Sequence, residues 1–433
     1  MPNYRASGGG GLTTESGGML DSFLIGLAVL ALLSIVFEEV IHINKAKTTL
    51  FFGCMSWLIL FMSAATGEEQ KLIHHQLDEN LLEIATLWLF LMSTMTFVAY
   101  LNAKGMIQSF VQRLFPSQLT MRKLMFLVAI FALVLSAICD NVTATLVSLG
   151  LVQSFNLDGK TRLKMAALVV FAVNSGGVAL ITGDVTTLMI FLAGHVEMSQ
   201  LLTLVLPSAV SVVVLAIMFC WGMKGEVSTE VVERQFTYVD IAIAVIFFAT
   251  IICTMLFNVL FGVPPVLTFL SGLSVMFLVG RTVKTDKEQT KILEYIRQIE
   301  YDTLLFFLGI LLLVGMLKEI GVLASVAQLY ADFDPRYSNF VAGAASALLD
   351  NVPLTAALLK ASPELLTPDW LALTYAVGVG GSLLAIGSAA GIIVMSKIKE
   401  MTFVSYLRYT PALLVAYTVG YVWTLLMANA LYG

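Results

Sequence analysis

Apolar stretches of spanning length recur along the chain, near residues 19–37, 49–66, 81–101, 161–195, 200–222, 238–262, 264–280, 302–317, 369–396 and 403–430. Each comes near or exceeds the ~17–25 residues that an α-helix needs to cross a bilayer. Ten spans are therefore predicted. Two further regions, 123–155 and 338–361, are apolar but broken in the middle by Asp140-Asn141-Val142-Thr143 and Asp350-Asn351-Val352-Pro353. Their arms are short for a span, so each reads as a re-entrant hairpin with its polar tip at mid-membrane. Irregular backbone at that depth is tolerated only where it is buried in protein or lines a cavity.

The pattern repeats. Gly105, Ser109 and Gln112 match Gly321, Ser325 and Gln328 at an offset of 216; Ser136-Ala137, Asp140-Asn141-Val142 and Thr145 match Ser346-Ala347, Asp350-Asn351-Val352 and Thr355 at 210; Gly176-Gly177 and Gly183 match Gly380-Gly381 and Gly387 at 204. Order is kept with only two small deletions. Each half reads as three spans, a surface helix, a hairpin, a Gly-broken helix and a final span. An odd number of crossings inverts the second half relative to the first. The predicted fold class is thus an all-α polytopic membrane protein, an inverted repeat of five spans plus one re-entrant hairpin each, with two Gly-broken helices. Such repeats with broken helices mark secondary transporters whose site lies at the midplane.

Composition supports the membrane reading. Of 433 residues, 58% are apolar and only 12% charged, with a mean hydropathy of +0.90. A typical soluble domain carries about twice that charge, so a soluble enzyme and a disordered chain are both excluded. The net charge of −5 and the lack of any basic run give no sign of nucleic-acid binding. Cys54, Cys139, Cys220 and Cys253 all sit in apolar segments and read as small core residues. With 38–48 placed in the cytoplasm and sides alternating, 19 of the 24 Lys and Arg fall inside and five outside. Both termini then lie externally. Residues 1–18 read as a Gly/Ser/Thr-rich disordered leader, ahead of a retained first span.

Four polar clusters occupy equivalent points of the repeat. Two are the hairpin tips, Asp140 to Thr145 and Asp350 to Thr355. Two are the helix breaks, Asn174-Ser175-Gly176-Gly177 through Thr186-Thr187, and Gly380-Gly381-Ser382 through Gly387-Ser388. The candidate ion-binding residues are Asp140, Asn141, Thr145, Asn174, Ser175, Asp184, Thr186, Asp350, Asn351, Thr355, Ser382 and Ser388. Neutral oxygens and freed carbonyls with a few carboxylates suit a hard cation. Asp140, Asp184 and Asp350 would each cost at least ~3 kcal/mol at the bilayer centre unless paired or solvated, and a bound Na⁺ or a proton is the cheapest partner. The bland alternative is that these Asp residues only cap helices, and the two roles can coexist. No Lys or Arg falls in the clusters. Glu38, Glu39 and His42 form either an interfacial charge cluster or a gate or pH sensor, and Asp302 could reach a water-filled path. His74-His75 read as solvated, and His195 as a helix C-terminal cap.

With these motifs in hand, the sequence resembles the NhaD-type sodium/proton antiporters of the ion transporter superfamily. The match runs from Phe37-Glu38-Glu39 through both Asp-Asn-Val motifs to Ser396-Lys397. The resemblance implies a bacterial inner-membrane protein exchanging Na⁺ or Li⁺ for H⁺, with no cofactor beyond the transported ions. It implies Asp140, Asn141, Thr145, Asn174, Ser175, Asp184, Asp350, Asn351 and Ser388 as the ion site. The wider superfamily also implies a homodimer and an elevator motion. In that scheme 19–115 and 238–332 are scaffold, while 120–223 and 336–430 are the moving transport parts. The alternatives are a sodium-coupled dicarboxylate-like anion symporter and an arsenite-type efflux permease. The superfamily's anion symporters carry Ser-Asn-Thr where this chain has Asp-Asn-Val, which favours a bare cation. An enzyme is not expected, since no nucleophile, base and orienting group occur together.

Overall fold

A computed structural model describes residues 15–36, 44–64, 66–106, 109, 118–155, 157–221, 223, 225–228, 236–282, 294–297, 299, 301–349, 351–398 and 400–433. Of the residues singled out above, Glu38, Glu39, His42 and Asp350 lie outside the described residues, as do most of 104–115 and of the charged linker 284–300.

The chain is a bundle of helices in the order α1 (Glu15–Val36), α2 (Lys45–Ser63), α3 (Gly67–Ala103), α4 (Met121–Ile138), α5 (Asn141–Ser154), α6 (Gly159–Gly177), α7 (Val185–Leu192), α8 (Val205–Cys220), α9 (Tyr238–Phe261) and α10 (Pro265–Thr282). There follow α11 (Tyr301–Glu319), α12 (Ala324–Asp332), α13 (Pro335–Leu349), α14 (Asn351–Ala361), α15 (Thr367–Gly380), α16 (Ala389–Lys397) and α17 (Thr410–Tyr432). Helix α1 begins at Glu15, four residues inside the expected leader. A two-stranded antiparallel ribbon, β1 (Gln118–Thr120) with β2 (Glu226–Ser228), ties the chain entering α4 to the chain leaving α8.

Helix starts follow local chemistry. Thr66, Thr120, Asp140, Asp158, Asp184 and Thr237 each accept a backbone N–H of the following first turn, satisfying one of the donors a helix leaves orphaned there. Among the described residues, seven helical segments are long and apolar enough to cross a membrane: 46–63, 67–103, 121–138, 198–220, 238–261, 301–319 and 410–432. The spans 161–195 and 369–396, expected to be Gly-broken helices, are indeed interrupted. Each is two helices separated by an irregular stretch, α6 then α7 and α15 then α16. Helix α3, at 37 residues, extends about 55 Å. Its first turns carry the exposed pairs His74–Asp78 (3.0 Å) and His75–Glu79 (3.5 Å), as expected of solvated histidines.

Helices α6 and α15 are apolar nearly all round and almost wholly buried, so they form the centre of the structure. Helix α4 packs on α6, and α13 packs on α15. Both crossings are close because glycine is used there. A Cβ on Gly176 would lie 2.0 Å from the Leu133 carbonyl oxygen, and one on Gly380 would lie 2.0 Å from that of Gly343. Around α2 and α11 gathers a second group, with α1 against α2, α3 against α11, and α10 against α3 and α9. Helix α14 touches both groups, contacting α7 and α15 on one side and α11 on the other. His195 is not simply a helix terminus. Its ring stacks on Trp370 at 3.8 Å and 10°.

Candidate ion site

A cavity of about 170 Å³ opens between the two groups of helices. Four helix N-termini meet at its wall: Asp140, Asn141 and Val142 open α5; Asp184 and Val185 open α7; Asn351 and Val352 open α14; Ser388 and Ala389 open α16. The opposite wall comes from α3 and α11, through Leu91, Thr94, Met95, Thr303, Phe306 and Phe307. Asn44 and Asp302 complete it. No lysine, arginine or histidine is among the described residues lining it.

Asp140 and Asp184 each accept a backbone N–H of the helix they begin. Asp140 Oδ1 accepts from the Thr143 N–H (2.9 Å) and Oδ2 from the Thr143 hydroxyl (2.8 Å). Asp184, only 5% exposed, accepts the Thr186 N–H on Oδ1 (3.2 Å) and Asn351 Nδ2 on Oδ2 (3.3 Å). Both aspartates therefore cap helices. Capping uses lone pairs in the direction of the helix and leaves the negative charge in place. The partly positive N-terminus stabilises that charge without neutralising it.

The Asn and Ser residues bond to one another and to backbone carbonyls. Ser136 Oγ donates to Asn141 Oδ1 (2.8 Å). Asn174 gives both amide protons away, to the Val170 carbonyl (2.8 Å) and to Ser388 Oγ (3.0 Å). Ser388 stands at the start of α16, yet its hydroxyl makes no capping bond there. Behind the cavity wall, Asn174 Oδ1, Ser175 Oγ and Thr186 Oγ1 are buried with no hydrogen-bond partner. An unsatisfied buried polar atom costs about 1–3 kcal/mol, and these three are neutral oxygens of the kind a dehydrated cation takes. Thr187 Oγ1, in the same helix turn, is likewise buried and unpartnered.

The remaining candidates are hydrogen-bonded into their helices. Thr145 and Thr355 donate to the carbonyls of Asn141 (2.6 Å) and Asn351 (2.7 Å). Ser382 donates to Val379 (2.6 Å), and its own carbonyl accepts from Tyr406 (2.6 Å). The geometry thus brings Asp140, Asn141, Asp184, Asn351, Ser388 and Asp302 onto one cavity. It sets Asn174, Ser175 and Thr186 behind it, and turns the hydroxyls of Thr145, Thr355 and Ser382 to backbone carbonyls.

Sequence reasoning missed Asn44 and the α3 wall. Asn44 Oδ1 caps α2 through the Ala46 N–H (2.8 Å), while its Nδ2 donates to Asp302 Oδ2 (2.7 Å). A capping signal before Lys45 was readable, but its partner lies 258 residues away and only the packing of α2 on α11 supplies it.

Spanning helices around a cavity lined by Asp140, Asp302 and the buried Asp184 make this a polytopic α-helical membrane protein. Residues 22–378 match the model of the CitMHS family, described as citrate transporter. The Na(+)/H(+) antiporter NhaD of Vibrio cholerae is 30% identical over an alignment of 453 residues, covering 96% of this chain and 95% of the relative. NhaD of Vibrio parahaemolyticus is 30% identical over 406 residues, covering 86% and 98%. Sodium/proton antiporter 1 of Arabidopsis thaliana is 29% identical over 401 residues, 86% of this chain and 66% of its own. The chain belongs to the CitMHS family and to the NhaD-type sodium/proton antiporters.

Proposed function

We propose that the protein exchanges Na⁺ for H⁺ across a membrane at this cavity. The observation that carries the reading is how the helix N-termini are occupied. A helix N-terminus is a ready anion site, and four of them facing one cavity would suit a carboxylate substrate. Here Asp140 and Asp184 already occupy two of them with the chain's own carboxylates. The described lining then offers carboxylates and no basic side chain, so its complement is a cation or a proton. The relatives named as Na⁺/H⁺ antiporters agree.

In this reading Asp140, Asp184 and Asp350 bind either Na⁺ or protons. Asn141, Asn174, Ser175, Thr186, Asn351 and Ser388 add neutral oxygens, and Thr145, Thr355 and Ser382 shape the helix ends. Li⁺ is the expected alternative cargo. One ion displaces the other, so no further cofactor is required. Asp302, which is exposed and lines the cavity, is assigned the gate role, with Glu38, Glu39 and His42 the further candidates for a gate or pH sensor.

We infer an inverted repeat of ten spans and two re-entrant hairpins. The paired crossings support it: Gly176 meets Leu133 as Gly380 meets Gly343, with the 204 and 210 offsets of the sequence repeat. Helices α1–α3 and α9–α12 then form the scaffold, and α4–α8 with α13–α17 the moving part. Alternating access by an elevator motion, a homodimer, both termini external and a bacterial inner membrane complete the proposal.

The test uses purified protein in liposomes with an imposed pH gradient. Addition of Na⁺ should dissipate the gradient, and K⁺ should not. Citrate- or succinate-driven Na⁺ uptake would replace the antiport reading with the anion symporter.

A further inference from the structure

Helix α11 has two ends, and they differ. At its start, Asp302 is exposed and Asn44 partly exposed, and both line the cavity. The 19 residues of α11 carry the chain about 28 Å to Glu319. At that far end Lys360, on the last turn of α14, forms an ion pair with Glu83 of α3. The Lys360 side chain is 13% exposed and Glu83 62%. Glu319 lies in the field of the same lysine and of Lys318 and Glu79. Thus Lys360, from α14, sits among acidic groups belonging to α3 and α11.

The position of Lys360 in α14 gives the pair its meaning. Helix α14 is 11 residues, about 16 Å long. Its first residue, Asn351, donates to the site carboxylate Asp184, and its last turn is pinned to α3 through Lys360. One short rod therefore joins the ion site to the end of the bundle away from the cavity mouth. A partly exposed pair of this kind is weak enough to break, worth at most about a fivefold change in an equilibrium.

We propose that Lys360 and Glu83 form a releasable latch, which closes the end of the bundle opposite the Asp302 mouth and opens when α14 moves against α3 during exchange. The proposal rests on the alternating-access reading above. It assigns to a peripheral ion pair the job of holding the conformation described here.

The test is a Glu83→Cys/Lys360→Cys variant in proteoliposomes, joined by a short thiol-specific crosslinker. Wild-type protein, treated identically, controls for reaction at the native cysteines. The crosslinked variant should lose Na⁺/H⁺ exchange to the level of empty liposomes, and reducing the crosslink should restore it. Full exchange in the crosslinked protein would overturn the latch, because a static strut can be welded without effect. Should the cysteine pair fail to fold, charge substitutions decide. Glu83→Gln and Lys360→Gln should each change the exchange rate by up to about fivefold. The double variant should add nothing further, and the swap Glu83→Lys/Lys360→Glu should recover the wild-type rate. Additive single effects without recovery in the swap would also overturn it. Absence of Na⁺/H⁺ exchange in the untreated wild type would instead remove the antiport reading itself.

Discussion

Asn351 Nδ2 donates to Asp184 Oδ2 at 3.3 Å, joining two residues 167 positions apart at the meeting of α14 and α7. The bond fixes one oxygen of a carboxylate that is 5% exposed and faces the cavity. Hydrogen bonds to charged groups contribute about 1.5–3 kcal/mol. Asn351→Ala should therefore raise the sodium concentration for half-maximal exchange by roughly tenfold or more. Asp184→Asn removes the charge and should abolish exchange in folded protein. Sodium-titrated dequenching of a pH dye in proteoliposomes measures both.

Asp140 separates capping from charge. Asp140→Asn keeps an acceptor for the Thr143 N–H and removes only the charge, so thermal stability should fall by less than about 1 kcal/mol while exchange collapses. Asp140→Ala loses both and should be destabilised by about 1 kcal/mol in addition. Wild-type exchange in the Asn variant would reduce Asp140 to a helix cap. Scanning fluorimetry in detergent, paired with transport assays, distinguishes the two.

Glycine matters where helices touch. Gly176→Ala and Gly380→Ala each place a methyl 2.0 Å from a backbone carbonyl oxygen, so α6 or α15 must shift. Either should cost several kcal/mol, near the top of the range for overpacked cores, and yield little folded protein. Gly150 in α5 has nothing within 4 Å of its would-be Cβ, so Gly150→Ala should be neutral or stabilising by up to about 1 kcal/mol. Yield and melting temperature of the three variants check this.

Asp302 stands exposed at the cavity mouth, hydrogen-bonded to Asn44. A charge at such a position concentrates cations before they bind, and salt screens it over a Debye length of about 10 Å at 0.1 M. Asp302→Asn should weaken apparent sodium affinity, and the loss should shrink as ionic strength is raised with an inert salt. A salt-independent loss would place Asp302 in direct contact with the ion.

Shared carboxylates make the two ions competitors. Raising sodium should therefore move the acid limb of the exchange profile toward lower pH, by up to about one unit per tenfold sodium for one displaced proton. A limb that stays fixed over a hundredfold range of sodium would mean that protons and sodium use separate groups. Exchange rate against pH at several sodium concentrations provides the measurement.

Much of this molecule was written along the chain. Apolar runs of spanning length and Thr, Asp and Asn residues at helix starts place the helices, because hydrophobicity and capping are local properties of neighbouring residues. The interruptions at Asp140, Asn174–Asp184 and Gly380–Ser388 marked where helices break, and each break appears in the fold. Repetition of Asp-Asn-Val also pointed to Asp140, Asn141, Val142, Asn351 and Val352, which line the cavity. Tertiary structure alone decided the rest. Whether Asn174 reaches Ser388, whether Asn351 binds Asp184, and whether Asn44 meets Asp302 depends on close helix crossings. Glycines let backbones approach at several of these crossings, Gly176 and Gly380 where α4 meets α6 and α13 meets α15, and Gly53 and Gly309 where α2 meets α11. The ion pair of Lys360 with Glu83 belongs to the same class. Side chains hundreds of residues apart leave no local periodicity to read, and only packing brings them within a hydrogen bond of each other.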